Sequence, residues 1–152
     1  MAVSTDFIEE VMGLIVFEIS GKEFSASIKD IYTVIKPNYD EQPGLHSPFY
    51  PHLLINKKKI PVINLHKFFG LKAKAETDES RILIVESSSG HFGFYVESVK
   101  EVFTISMYIR EKLTFISSSS SMYLKGKIRY KERVLNLPDF EKIAGDHLVM
   151  AN

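Results

Sequence analysis

The chain has 152 residues and balanced charge, 19 Lys plus Arg against 19 Asp plus Glu, and it contains no cysteine. Zero net charge removes the long-range pull toward nucleic acid or an anionic membrane surface. The absence of cysteine excludes disulfides, thiol catalysis and cysteine-ligated metal sites. A chain of this length, 45% hydrophobic and 25% charged, buries roughly 70% of its unfolded surface and needs neither metal nor disulfide for stability.

Residues 1–11 read as an N-terminal extension. Asp6, Glu9 and Glu10 lie there without a basic residue, which does not fit a signal peptide. The longest apolar stretches, Val11–Phe17 and Ile82–Val85, fall short of a bilayer span. A cytoplasmic location is expected. Met12–Ile19 is β-branched and aromatic, turns at Ser20-Gly21-Lys22, and pairs in expectation with Glu23–Ile28. Ile28, Ile31, Val34 and Ile35 continue as a strand, because Ile, Thr and Val favour extended backbone. Pro37, Pro43, Pro48 and Pro51 surround Gly44, so Asn38–Pro51 is a long loop. Leu53–Ile55 and Lys59–Leu65 form a second hairpin around Asn56-Lys57-Lys58, with Pro61 at an edge or bulge. Leu65–Leu71 closes this half as a short helical turn, and the charged Lys72–Ser80 reads as a linker.

The second half begins with Arg81–Glu86, turns at Ser87–Gly90 and returns through Phe92, Phe94 and Val96. Val99–Ile105 is its third strand, Ser106–Leu113 an amphipathic turn, and the five serines Ser117–Ser121 a polar loop. Tyr123–Tyr130 and Arg133–Leu137 form the last hairpin, with Lys131-Glu132 at its tip. Pro138 suits the first turn of a helix and Gly145 its stop, giving a closing helix over 138–145.

The two halves repeat one layout. Val62-Ile63-Asn64-Leu65-His66-Lys67-Phe68 recurs as Val134-Leu135-Asn136-Leu137-Pro138-Asp139-Phe140, and Leu14–Glu18 recurs as Ile82–Glu86. At that second offset Phe24, Ile28, Ile31 and Val34 fall on Phe92, Val96, Val99 and Val102. Same order and nearly equal offsets point to two copies of one β unit. The expected fold is all-β: two five-stranded SH3-like or OB-like barrels packed side by side, with short helices including a C-terminal one. The first barrel spans about 12–71 and the second about 81–137.

No constellation for catalysis emerges. His46, His52, His66, His91 and His147 show no i, i+4 metal spacing and read as solvated or singly bonded. No serine sits in a Gly-x-Ser-x-Gly elbow, and Gly90-His91-Phe92-Gly93 lacks the lysine of a phosphate loop. Glu9-Glu10 and Asp78-Glu79 are adjacent in sequence, not opposed across a pocket. Lys57–Lys59 is a basic run at a hairpin tip. No catalytic residue, metal or cofactor is assigned.

The strand motifs, in order, resemble the CheW-like family. Leu14-Ile15-Val16-Phe17, Phe24 and Ile28–Val34 are similar to its opening, and Ile60-Pro61-Val62-Ile63-Asn64-Leu65 to its apolar-Pro-apolar-apolar-Asp/Asn-Leu strand. Phe94–Val102 is similar to its second-half Val-Asp-x-Val signature, and Tyr123–Gly126 with Arg133–Leu137 to its final hairpin. The resemblance covers about 12–147. It implies a non-enzymatic adaptor that couples the tip of a methyl-accepting chemoreceptor to the regulatory domain of a CheA-type histidine kinase. It also implies recruitment to membrane-associated receptor arrays, without membrane insertion. Ile28, Ile31, Thr33, Val34, Asn56 and Lys57 are the partner-binding residues it suggests, near a groove between barrels. The chain departs from the family at three of these positions: Asn56 stands where arginine is usual, Lys57 where glycine is, and Thr33 where glutamate is. The rival reading is a nucleic-acid-binding pair of small barrels, drawing on Lys57–Lys59, Tyr123 and Tyr130 against the zero net charge.

Overall fold

The computed structural model describes residues 11–37, 52–72, 76–106, 113–116, 122–130 and 132–151. The expected loop Asn38–Pro51, the serine run and most of the amphipathic turn after Ser106 lie outside them. β1 (Val11–Ile19) and β2 (Lys22–Ser27) form the first hairpin. Its turn residues Ser20 and Gly21 have φ of 53° and 78°, the left-handed pair that matches the twist of flanking strands. The run expected as one strand from Ile28 divides: Ile28–Asp30 is a 3-10 turn and β3 (Ile31–Ile35) follows. Ser27 Oγ accepts from Lys29 N at 3.3 Å, a local bond that competes with extended pairing. β4 (His52–Ile55) and β5 (Lys58–Asn64) pair antiparallel. They lead into α1 (Leu65–Phe69), which is capped by Asn64 and closed by Gly70 at φ 65°.

The second half runs β6 (Arg81–Ser87), β7 (Gly90–Val96), β8 (Ser98–Ser106), β9 (Leu113–Ile116), β10 (Leu124–Tyr130), β11 (Arg133–Pro138) and α2 (Phe140–Ala151). β9 has no counterpart in the sequence expectation. The closing helix also needs correction. Pro138 ends β11 and pairs with Leu124; Asp139 makes the cap, its Oδ1 accepting from Lys142 N at 3.1 Å. The helix continues through Gly145 to Ala151. A glycine inside a helix costs about 1 kcal/mol, offset here by burial of Ile143 and Ala144 and by the Tyr123 hydroxyl donating to Asp146 Oδ2 at 2.9 Å.

The strands form two curled sheets, with orders β8-β1-β2-β11-β10-β9 and β3-β6-β7-β5-β4. Each sheet therefore mixes both halves of the chain, which corrects the division into one barrel over 12–71 and another over 81–137. Counting strands within each copy, both sheets share one order, 3-1-2-5-4. Strands 1 and 2 come from one copy and strands 3, 4 and 5 from the other, with β9 added at an edge. Four junctions join strands of different copies: two equivalent parallel pairs, β2 with β11 through Phe24 and Asn136 and β7 with β5 through Val62–Asn64, and two antiparallel ones, β1 with β8 and β6 with β3. The physical reason is burial. Ile82–Val85 and Phe92–Val96 are buried without a break, a pattern that needs apolar cover on both faces.

Alternation sorts those residues. Leu83, Val85, Phe92, Phe94 and Val96 join Ile15, Phe17, Ile19, Phe24 and Ala26 of the other sheet, with Phe140, Ile143 and Ala144 of α2, in one shared core. Ile82, Ile84 and Tyr95 turn the other way and meet Leu53, Ile60 and Val62 inside their own sheet. Gly93 lets that interior close: a Cβ there would lie 2.9 Å from Ile82 Cγ2. The six-stranded sheet is tied across its width by Arg133. It donates to Glu23 from Nε at 3.1 Å and Nη2 at 3.0 Å, and from Nη1 to Glu101 on β8. Those two carboxylates hold its pKa above the usual guanidinium value.

Because each sheet borrows strands, neither half can complete a core alone. Fragments produced by opening the chain between Ala75 and Glu76 are expected to show no cooperative melt separately. Mixed, they are expected to regain one, as followed by circular dichroism. A first fragment that folds by itself would show the exchange to be dispensable.

Candidate functional site

The site is built where the chain crosses between sheets. After β2 in one sheet, the turn Ile28–Asp30 carries the backbone to β3 in the other. Ile28 packs against Gly13 of β1, where an added Cβ would come 2.7 Å from Ile28 Cδ1; the missing side chain is what admits it. A bulge between Ile31 and Thr33 then resets the alternation of β3. Ile31 and Val34 stand opposite Val85 and Leu83, on the shared-core side, while Thr33 and Ile35 stand opposite Ile84 and Ile82 on the other face. β8 carries the equivalent irregularity against β1, between Val16 and Phe17. It places both Val99, opposite Phe17, and Val102, opposite Ile15, on the shared-core side.

The result is an open apolar margin. Ile28 is 41% exposed, Val34 38% and Val102 58%, although Val34 and Val102 lie on strand faces that lead into the core. Gly13, against which Ile28 rests, pairs with Thr104, two places along β8 from Val102. Tyr32, 60% exposed, lies on His91 with ring centroids 4.9 Å apart. Clustered large apolar side chains left in water mark interaction surfaces more than isolated ones do. Ile28, Ile31 and Val34 thus lie along one short segment, with Ile31 largely packed on the core, whereas Thr33, half-buried, turns to the other face of β3. Val102 was missing from the sequence-derived set. Its signal was there in the repeat, which aligns Val34 with Val102.

Asn56 and Lys57 are placed elsewhere. They form the tip of the β4–β5 hairpin with φ of 50° and 67°, and both are exposed. β3 and β4 are the opposite edges of the five-stranded sheet.

The other half of the crossing pattern is closed. His66, only 1% exposed, bonds Asn64 Oδ1 through Nδ1 at 2.8 Å and Glu97 Oε2 through Nε2 at 2.7 Å. The same carboxylate oxygen accepts from Ser20 N at 2.8 Å. A buried histidine with two bonds replaces the solvated or singly bonded one expected from sequence. Both ring nitrogens are engaged by protein oxygens, so neither faces an open site. The cluster instead joins α1, the β7–β8 corner and the β1–β2 turn. Nearby, Tyr95 is buried and its hydroxyl bonds Ser80 Oγ at 2.9 Å; burial raises its pKa. Among the described residues no group of three or more His, Asp or Glu could hold a metal, and no helix is long and apolar enough to cross a membrane.

His66→Ala is expected to lower unfolding free energy by about 2–3 kcal/mol, the scale of bonds lost to a charged, partly buried group. The shift should appear as a lower urea midpoint at unchanged slope. A midpoint equal to the parent's would remove the cluster's structural role.

Comparison with known proteins follows the same lines. A family model described as the CheW-like domain matches residues 13–147. A Chemotaxis protein CheW of Helicobacter pylori (strain ATCC 700392 / 26695) is 26% identical over 138 residues, spanning 89% of this chain and 82% of the relative. A Chemotaxis protein CheW of Bacillus subtilis (strain 168) is 24% identical over 128 residues, spanning 83% and 82%. The crystal structure of scaffolding protein TtCheW from Thermoanaerobacter tengcongensis superposes with a TM-score of 0.72 at 20% identity, covering 93% of each chain. At that identity the likeness speaks for the fold.

Proposed function

This chain belongs to the CheW-like domain family, and from that premise we propose that it is an adaptor coupling chemoreceptors to a CheA-type histidine kinase. It works by binding, in the cytoplasm and at receptor arrays, and carries out no chemistry of its own. The observation that carries the reading is the apolar margin of Ile28, Val34 and Val102 at the meeting of the two sheets. Such a margin suits the apolar face of a helix, which presents side chains at i, i+3, i+4 and i+7 to a groove. A receptor's cytoplasmic tip is the helical partner this family offers.

The kinase regulatory domain is assigned to a separate surface, so that both partners can be held at once. The exposed β4–β5 tip is the surface assigned to it. Asn56 there supplies an amide in place of the forked, charged donor of arginine.

Pull-down with the cognate kinase regulatory domain and with a receptor-tip peptide tests the assignment; capture of neither would sink it. Val34→Asp and Val102→Asp are expected to weaken receptor-tip binding at least about tenfold, the scale of one buried apolar anchor. Their thermal midpoints should stay near the parent's, since both side chains are exposed. Asn56→Arg is expected to leave receptor-tip affinity unchanged and to raise receptor-dependent kinase activity.

A further inference from the structure

A cavity of about 260 Å³ opens beside the 3-10 turn, between the inner face of the six-stranded sheet, the end of β6 and the start of α2. That volume equals roughly nine waters at about 30 Å³ each. Leu14, Val85, Ile128, Leu137 and Phe140 form its apolar walls. Within it lies one polar group the fold leaves unused. Ser25 is fully buried and its Oγ has no hydrogen-bond partner among the described residues. Phe24 and Ala26 on either side belong to the shared core, so alternation turns Ser25 to the other face of β2. Buried hydroxyls are ordinarily bonded, and an unbonded one in a native fold calls for a partner.

The other polar groups of the lining are mostly committed. Ser27 Oγ accepts from Lys29 N, Ser87 Oγ donates to Gly90 O, and Glu141 accepts from Ser88 N and Oγ, each at 2.8 Å. Lys125 lies close enough to Glu141 to favour its charged form. Asp30 and Glu86 remain: both line the cavity, both are exposed, and neither is in a salt bridge among the described residues. The rim thus carries Asp30, Glu86 and Glu141 against Lys125 alone. An acidic rim over apolar walls favours a cation with an apolar body.

We propose that this cavity binds a small amphipathic amine, its ammonium at Asp30 and Glu86, its apolar body against the walls, and a hydrogen-bonding group on Ser25 Oγ. The site is independent of the adaptor assignment, since it uses none of Ile28, Val34 or Val102. An anionic or uncharged ligand of the same shape meets the carboxylates without compensation and is rejected.

Tyramine is a suitable probe, because it joins an ammonium to a phenol hydroxyl. Titrated into the full chain, it is expected to shift the backbone amide resonances of Ser25, Ser27, Asp30 and Glu86 saturably. Phenethylamine, lacking the hydroxyl, should bind about fivefold more weakly, and that difference should vanish in Ser25→Ala. The surface variant Asp30→Asn with Glu86→Gln should bind tyramine about tenfold more weakly, two exposed charge contacts being lost. 4-Hydroxyphenylacetate should produce no saturable shift. The proposal is overturned if tyramine leaves those amides unmoved, as a cavity filled only by water would. It is equally overturned if the anion binds as well, or if neither substitution changes the affinity.

Discussion

Everything in this fold depends on the hairpins β1–β2 and β6–β7 being completed by strands from the opposite half of the chain. A two-stranded hairpin is marginal in water, and β6–β7 is apolar on both faces, so it requires cover from two directions at once. Its own-sheet neighbours come from the first copy and its outer cover from the second sheet and α2. The same holds for β1–β2 with the roles reversed. The exchange converts two small barrels, each with limited burial of its own, into one unit with a common core.

The exchange also creates the surface proposed for docking. To swap strands, the chain must cross between sheets twice, once after β2 and once after β7, at equivalent points of the two copies. The crossings have opposite characters. After β7 it is sealed: Glu97 draws in His66 and the backbone of Ser20, and Glu97 N donates to Glu18 O at 3.0 Å. After β2 no such staple exists among the described residues. Ile28 rests in the space left by Gly13 and remains partly in water. One pseudo-symmetric junction is stapled and its mate is left open, the mate being the surface proposed for docking, a divergence that begins with Ile28 in one copy and Val96-Glu97 in the other.

The repeat was legible in sequence because strand-forming residues and their alternation are local properties. Leu14–Glu18 and Ile82–Glu86 became the equivalent strands β1 and β6, and the Asn64 and Asn136 segments became β5 and β11. Which copy each strand pairs with was not legible. Side-by-side and exchanged barrels use the same strands, the same turns and the same apolar faces, and differ only in long-range partners. The doubly buried Ile82–Val85 run was the available clue. Among candidate residues, Ile28, Ile31 and Val34 fall within one segment because they are close in the chain, while the bulge in β3 turns Thr33 to the other face. For Val102 the only sequence signal is the repeat that aligns it with Val34, since a valine in a strand does not by itself reveal that it faces a gap. The bonding of His66 was not legible because its partner Glu97 lies 31 residues away.

The hairpin tip shows how a departure from the family pattern acts through backbone as well as charge. Lys57 holds φ at 67°, in the left-handed region, where a side chain costs roughly 1–2 kcal/mol relative to glycine. Asn56, at 50°, tolerates that region better because its short amide can bond locally. The family's glycine would relieve the strain at 57, so the lysine is retained against the local backbone preference. It makes no side-chain bond within the described fold that would offset the cost. What the lysine does supply is a cation one position beyond the place where the family carries arginine, and Lys58 and Lys59 extend it along the strand. On the docking reading, the tip has kept positive charge while giving up the planar fork of arginine. An acidic partner surface would still be attracted, but a geometry demanding two parallel bonds would be lost. Under the proposed docking role, the β4–β5 tip would therefore favour contacts that are screened by salt over contacts fixed by bidentate geometry.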